Sequence, residues 1–133
     1  MSAVFADTSA LYAFLVREDE NHERAKALLA SLRTEATRLV SSSFVVQETA
    51  ALLQPRIGVP AARRFQQSVV PALEVEWIGE ALYQRGMAAL LAAGKRDVSL
   101  TDWTSFEVMR ERGIERALAF DDDFADQGFV LLS

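Results

Sequence analysis

Ala3-Val4-Phe5-Ala6-Asp7-Thr8-Ser9-Ala10-Leu11-Tyr12 decides the architecture of this chain. Four apolar residues with no polar face read as a strand buried on both sides, the pattern of a strand inside a parallel sheet. Asp7-Thr8-Ser9 then opens a helix over Ser9 to Val16, because short oxygen-bearing side chains satisfy the free N–H groups of a first helical turn. The alternation recurs downstream. Ala25, Leu28, Leu29 and Leu32 mark an amphipathic helix and Arg38-Leu39-Val40-Ser41 a second strand. A helix follows from about Ser43 to Gln54, where Pro55 is expected to stop it, and another lies between Pro60 and Pro71. Leu73, Val75 and Trp77 alternate with Glu74 and Glu76, which predicts an edge strand with one wet face. Two helices ending at Gly94 and Gly113 come next, and Ala117 to Phe120 and Phe129 to Leu132 are two further buried strands. Strands alternating with helices predict an α/β fold, a parallel sheet with helices on both faces. No linker or repeat divides the chain, so residues 1–133 read as one domain.

The chain has 133 residues, no Cys, one His, and 19 acids against 14 Lys and Arg, a net charge of -5. Without Cys there are no disulfides, thiolate zinc sites or thiol catalysis, and one His leaves no metal site built on several imidazoles. What remains is carboxylate, which suits hard cations bound through oxygen. No segment reads as a signal peptide or membrane span, so a cytoplasmic protein is the expectation. The acidic balance is uneven, because Thr49 to Pro71 contains no acid while Arg56, Arg63 and Arg64 form a basic strip. Such a strip is usually a solvated face, with RNA or partner contact as the alternative. Trp77, Trp103 and the Phe residues fall at core spacings, and His22 suits a surface or capping position at a helix start.

In an open α/β sheet, ligands bind at the carboxyl ends of the strands, near the point where strand order reverses. Asp7 directly follows the first strand, Glu48 lies near the second turn after the second, Asp102 opens a helix, and Asp121 directly follows the penultimate strand with Asp122 and Asp123 behind it. Each has a plain structural reading. Asp7 or Thr8 would cap a helix, Ser99-Leu100-Thr101-Asp102 fits a capping box, and Asp121-Asp122-Asp123 could be a solvated turn. Glu48 resists such a reading, since Phe44 and Leu52 one turn to either side place it on an apolar stripe. Four caps also need not share one sheet edge. Several carboxylates in one pocket raise each other's pKa values unless a cation neutralises them. Mg²⁺ or Mn²⁺ would do so, and the matching chemistry is attack of activated water on a phosphoryl centre.

These pieces together resemble the PIN-domain nucleases, specifically the VapC-like toxins of toxin–antitoxin pairs. The matching stretches are Phe5 to Leu11, Asp19 to Ala25, Glu48 to Leu53, Leu100 to Trp103, Ala119 to Phe124, and Gly128-Phe129 before an apolar strand. The resemblance spans essentially the whole chain in order. It implies a three-layer α/β/α sandwich and an Mg²⁺- or Mn²⁺-dependent endoribonuclease. Asp7, Glu48, Asp102 and Asp121 would be its acidic quartet, with Asp7 and Asp102 at the main metal and Asp123 an accessory acid. It further implies that Thr8 and Ser9 offer hydroxyl and N–H groups to the metal shell or the scissile phosphate. Ser99 and Thr101 would orient Asp102. RNA as substrate, a homodimer, and a cognate antitoxin whose arm crosses the active-site groove complete the implied picture. One departure is Ala119-Phe120, where many relatives carry a Thr or Ser.

Other readings stay open at this point: a stand-alone PIN nuclease of RNA maturation, and a PIN domain that binds RNA or a partner without cleaving. A haloacid-dehalogenase-type phosphatase needs an acid two residues after Asp7, where this chain has Ser9. A response-regulator receiver would need paired early acids, which are missing.

Overall fold

Val4, Phe5 and Ala6 expose nothing to solvent, and they form the central strand β1 (Ala3–Ala6). The computed structural model describes residues 2–132, and the two end positions of the expected 1–133 domain lie outside them. β2 (Arg38–Ser42) and β4 (Arg116–Leu118) flank β1, while β3 (Glu74–Glu76) lies outside β2 and β5 (Val130–Leu131) outside β4. Every pairing is parallel, with Phe5 opposite Val40 on one side and Ala117 on the other. The chain builds outward from β1 to β3 and then crosses back to β4. Strand order therefore reverses between β1 and β4, which opens a crevice at their carboxyl ends.

The helices are α1 (Thr8–Leu15), α2 (His22–Thr34), α3 (Ser43–Arg56), α4 (Val59–Arg64), α5 (Glu80–Ala93), α6 (Leu100–Arg112) and α7 (Asp123–Asp126). On one face of the sheet, Leu32 of α2 joins Val4 and Leu118 in a small buried cluster. On the other, the Phe5 and Phe124 rings lie 6.2 Å apart, and Phe124 meets Phe106 of α6 edge-on at 5.0 Å. Burying each such ring contributes roughly 1.5–3 kcal/mol. The result is the expected helix–sheet–helix sandwich.

Local departures from the sequence reading have simple causes. α3 runs through Pro55 to Arg56, because a proline in the last turn disturbs little helix beyond it. The break comes at Gly58, whose φ of +130° suits glycine and whose N–H, with that of Ile57, closes on the Leu53 carbonyl. The helix expected between Pro60 and Pro71 is α4 followed by a wide π turn (Phe65–Val69) and a tight 3₁₀ turn (Val70–Ala72). Gly94 and Gly113 end α5 and α6 in the left-handed region as expected. β3 is the edge strand foreseen, but it ends at Glu76, so the two-residue period no longer governs Trp77. That ring is 74% exposed and does not belong to the core.

Side-chain oxygens fasten the carboxyl edge of the sheet. The Ser41 hydroxyl donates to the Ala6 carbonyl (2.8 Å), and Ser42 caps α3 by accepting from the Val45 N–H (3.2 Å). Both serines are buried, so Ser42→Ala leaves an N–H without a partner. We expect Ser42→Ala to lower unfolding free energy by about 1 kcal/mol in urea titration, with an unchanged slope.

Candidate active site

Asp7 leaves β1 at the reversal point, its N–H bonded to the Leu118 carbonyl of β4 (3.0 Å). Its side chain caps α1, with Oδ2 accepting from the Ser9 N–H (3.2 Å) and the Ser9 hydroxyl (2.8 Å). The Ser9 Oγ in turn accepts from the Phe120 N–H (3.0 Å), so one hydroxyl ties the end of β1 to the segment that follows β4. A helix cap ordinarily favours the ionised carboxylate. Asp7 behaves oppositely. It is 3% exposed, and its pKa is pushed up to about 7, chiefly by burial, with the charges of Asp121 and Asp102 adding to it against the Ser9 hydroxyl.

Asp102 shows the same double character. It forms the capping box of α6, accepting from the Ser99 N–H (3.0 Å) while its own N–H donates to Ser99 Oγ (3.1 Å). Its pKa is nevertheless raised, first by burial and further by the charge of Glu48, against the Ser99 hydrogen bonds. Asp121 lies past β4 with Oδ1 accepting from the Asp123 N–H (3.1 Å). Burial raises it, and Asp102, Asp123 and Asp122 add their charges. Asp123 is raised by burial and by Asp102, Asp97 and Asp126, with Lys95 opposing. Asp102 is thus the hub, acting on Asp7, Asp121 and Asp123 and feeling Glu48, which is half-buried on α3. Sequence positions 7, 48, 102, 121 and 123 are brought into one electrostatic neighbourhood. The caps foreseen at Asp7 and Asp102 are real, and they hold acids whose burial capping does not explain.

None of these five acids takes part in an ion pair among the described residues. The acids that do, such as Glu74 with Arg38 and Glu76 with Arg112, lie elsewhere. Thr8 Oγ1, next to Asp7, is buried without a hydrogen-bond partner. An all-oxygen donor set, with raised pKa values at Asp7, Asp102, Asp121 and Asp123 and an orphaned hydroxyl beside them, fits a hard divalent cation. Among the described residues, no three carboxylates already close on one point at ligand spacing. The fit is therefore to an ion held by one or two carboxylates, with water completing its shell, as Mg²⁺ is commonly bound.

The family model for the PIN domain matches residues 4–130. The chain belongs to the PIN-domain family. A curated relative, the 23S rRNA-specific endonuclease VapC20 of Mycobacterium tuberculosis, is 37% identical over 96% of this chain and 95% of its own. The crystal structure of that VapC20, described as a sarcin–ricin loop cleaving toxin, superposes with a TM-score of 0.83, covering 96% of each chain at 36% identity. FitAcB from Neisseria gonorrhoeae (TM-score 0.69, 18% identity, 98% of this chain and 96% of that one) shares the fold. So does VapBC2 from Rickettsia felis bound to a promoter DNA fragment (0.68, 12%, 98% and 97%).

Other expected positions of this PIN domain take different places. The Ser9 hydroxyl is already engaged by Asp7 and Phe120. Ser99 holds Asp102, whereas Thr101 contributes its carbonyl to Thr104 and Ser105 within α6. Arg56 lies over the Tyr12 ring (5.7 Å), and Arg64 donates to the Leu15 carbonyl (3.4 Å) at the end of α1 farther from Asp7; Arg63 is exposed. His22 holds the start of α2 to α1 through a 2.8 Å contact between Nδ1 and the Ala13 carbonyl. One residue escaped the sequence reading. Arg24, inside the quoted Asp19–Ala25 stretch, rests over the Phe120 ring at 5.4 Å, a pairing across 96 positions that no local pattern announces.

Proposed function

We propose that this PIN domain is a metal-dependent endoribonuclease, the toxin of a toxin–antitoxin pair, that cleaves a phosphodiester bond in large-subunit ribosomal RNA. The observation that carries this reading is the set of five acids, none of them ion-paired among the described residues, gathered at the strand reversal. The identity to VapC20 supports the choice of RNA, with the sarcin–ricin loop as first candidate. Asp7 and Asp102 would hold Mg²⁺ or Mn²⁺, with Glu48, Asp121 and Asp123 at the margin, reaching it through water. Such an ion, when bound, neutralises the acids, polarises the phosphate and lowers the pKa of water. Ser9 fixes Asp7 Oδ2, and Ser99 fixes Asp102 Oδ2. Asp121 Oδ2, free of the Asp123 N–H that engages Oδ1, is the atom we assign to accept the proton of the attacking water.

Partners follow from other surfaces. A groove of about 860 Å³, floored by Leu11, Phe14, Leu29 and Leu73 and rimmed by Lys26 and Arg33, is lined by none of the five acids. We assign it to an apolar, acid-flanked segment of the antitoxin. Trp77 and Leu91, exposed by more than two thirds, are candidate contacts between two copies of the chain. No helix of the described residues is long and apolar enough to cross a membrane.

The test is cleavage of a labelled sarcin–ricin hairpin and of intact ribosomes by purified protein, with RNA ends sequenced. We expect one dominant cut, loss of at least about 100-fold in rate with chelator, and recovery with Mn²⁺. Cleavage at an undiminished rate in chelator would sink the metal mechanism. RNA binding without cleavage under any metal would favour the non-catalytic alternative. A dominant cut in a precursor RNA, with no toxicity on expression, would favour RNA maturation.

A further inference from the structure

The bound ion would offset the acids at the scissile phosphate only, so a cation on the rim that the acids do not consume is suited to hold a neighbouring phosphate. Arg24 meets that description. It is exposed on the first turn of α2, takes part in no ion pair or side-chain hydrogen bond among the described residues, and rests 5.4 Å from the centre of the Phe120 ring. The charges that act on Asp7, Asp102, Asp121 and Asp123 are those of other acids and of Lys95. Arg24 is therefore not spent on them.

Its seat is well fixed. Phe120 immediately precedes Asp121, and its N–H is held by Ser9 Oγ, which itself donates to Asp7 Oδ2. The ring packs on the Val4, Leu32 and Leu118 cluster. The start of α2 is pinned to α1 through His22 and the Ala13 carbonyl. A guanidinium lying on an aromatic face keeps its N–H edges free for a pair of phosphate oxygens, and it needs little reordering to bind them.

We propose that Arg24, seated on Phe120, binds an RNA phosphate neighbouring the scissile one and so positions the strand across Asp121. This rests on the nuclease reading above. The plainer role is that the Arg24 stem only shields the Phe120 ring from water.

Arg24→Met separates the two, because it keeps an apolar cover over Phe120 and removes the charge. Arg24→Lys keeps the charge, and Arg85→Met, which removes an equal charge on α5 paired to Glu107 and Glu111 of α6, is the control. Steady-state cleavage of the labelled hairpin is measured across a salt series. For Arg24→Met we expect KM to rise about tenfold with kcat within twofold. We also expect the slope of log(kcat/KM) against log salt to weaken by about 0.7–0.9, the contribution of one phosphate contact. Arg24→Lys should recover KM to within about threefold, and Arg85→Met should match wild type. An unchanged KM and slope in Arg24→Met overturns the assignment while the nuclease reading stands. So does a KM rise in Arg24→Met with an unweakened salt slope, since Arg24 then makes no phosphate contact. A wild-type protein that cleaves no RNA overturns both.

Discussion

Asp7→Asn is expected to lower kcat/KM for RNA cleavage by about 10³-fold, some 4 kcal/mol of transition-state stabilisation, and to raise the melting temperature of the metal-free protein at neutral pH. The two effects have one cause. Burial and the charges of Asp121 and Asp102 raise the Asp7 pKa to about 7 from an ordinary 3.8. Between those values the native state keeps a proton that the unfolded chain has released, so native stability falls as pH rises through the window. The full cost above pH 7 is on the order of 4 kcal/mol. Asparagine keeps the acceptor that caps α1 and carries no charge to bury, so it removes the cost along with the cation affinity. Wild-type protein should therefore melt higher at pH 5 than at pH 8, and Mn²⁺ should raise the melting temperature at pH 8 far more than at pH 5. The Asn variant should show a flatter profile and a weaker response to Mn²⁺. Glu74 acts with the opposite sign, since Arg38 holds it below its usual range and its contribution is lost as pH falls. That pair is about half exposed and largely screened. Wild-type cleavage rates in Asp7→Asn would refute its role, and an unaltered pH profile would show that the buried charge lies elsewhere.

Gly86→Ala is expected to destabilise the protein by about 2 kcal/mol, although helix propensity alone argues for a gain of about 1 kcal/mol at an interior helical glycine. Gly86 lies where α5 crosses α6, and a Cβ there would overlap Thr104 Cγ2 and come within 3.3 Å of the Thr104 backbone. The methyl cannot swing away. Thr104 is fully buried, and its hydroxyl is committed to the Leu100 and Thr101 carbonyls, both at 2.9 Å. The helices must part along the most extensive helix–helix contact of the fold. Calorimetry should show a melting temperature lower by roughly 6–8 °C. Thr104→Ser removes the obstructing methyl and keeps the hydroxyl, so the double variant should recover most of the loss and reveal coupling between the sites. A Gly86→Ala protein as stable as wild type would mean that the helices yield more readily than this geometry implies.

Asp7, Glu48, Asp102 and Asp121 were legible as candidates because strand ends and helix starts are marked by local patterns, and a parallel sheet sends its strand ends to one edge. Gly94 and Gly113 were legible for the same reason, since a left-handed helix end is a local event. Trp77 was misread because a period-two pattern does not say where pairing stops, and β3 is only three residues long. Ser99 and Thr101 were both candidates to orient Asp102, and Ser99 makes the contact because the capping box uses the residue three before the acid. Arg24 on Phe120 and Gly86 against Thr104 join positions far apart in the chain, and only packing brings them together.

The sequence by itself determined the layered α/β order, the family, and the acids available for chemistry, because periodicity, capping and strand-end residues are properties of neighbouring positions. The tertiary structure alone decided that these acids share one field, none of them ion-paired among the described residues. It also decided that Asp7 is buried deeply enough to hold its proton near neutral pH. Burial and Coulomb energy depend on distances through space, and the strand reversal between β1 and β4 sets those distances.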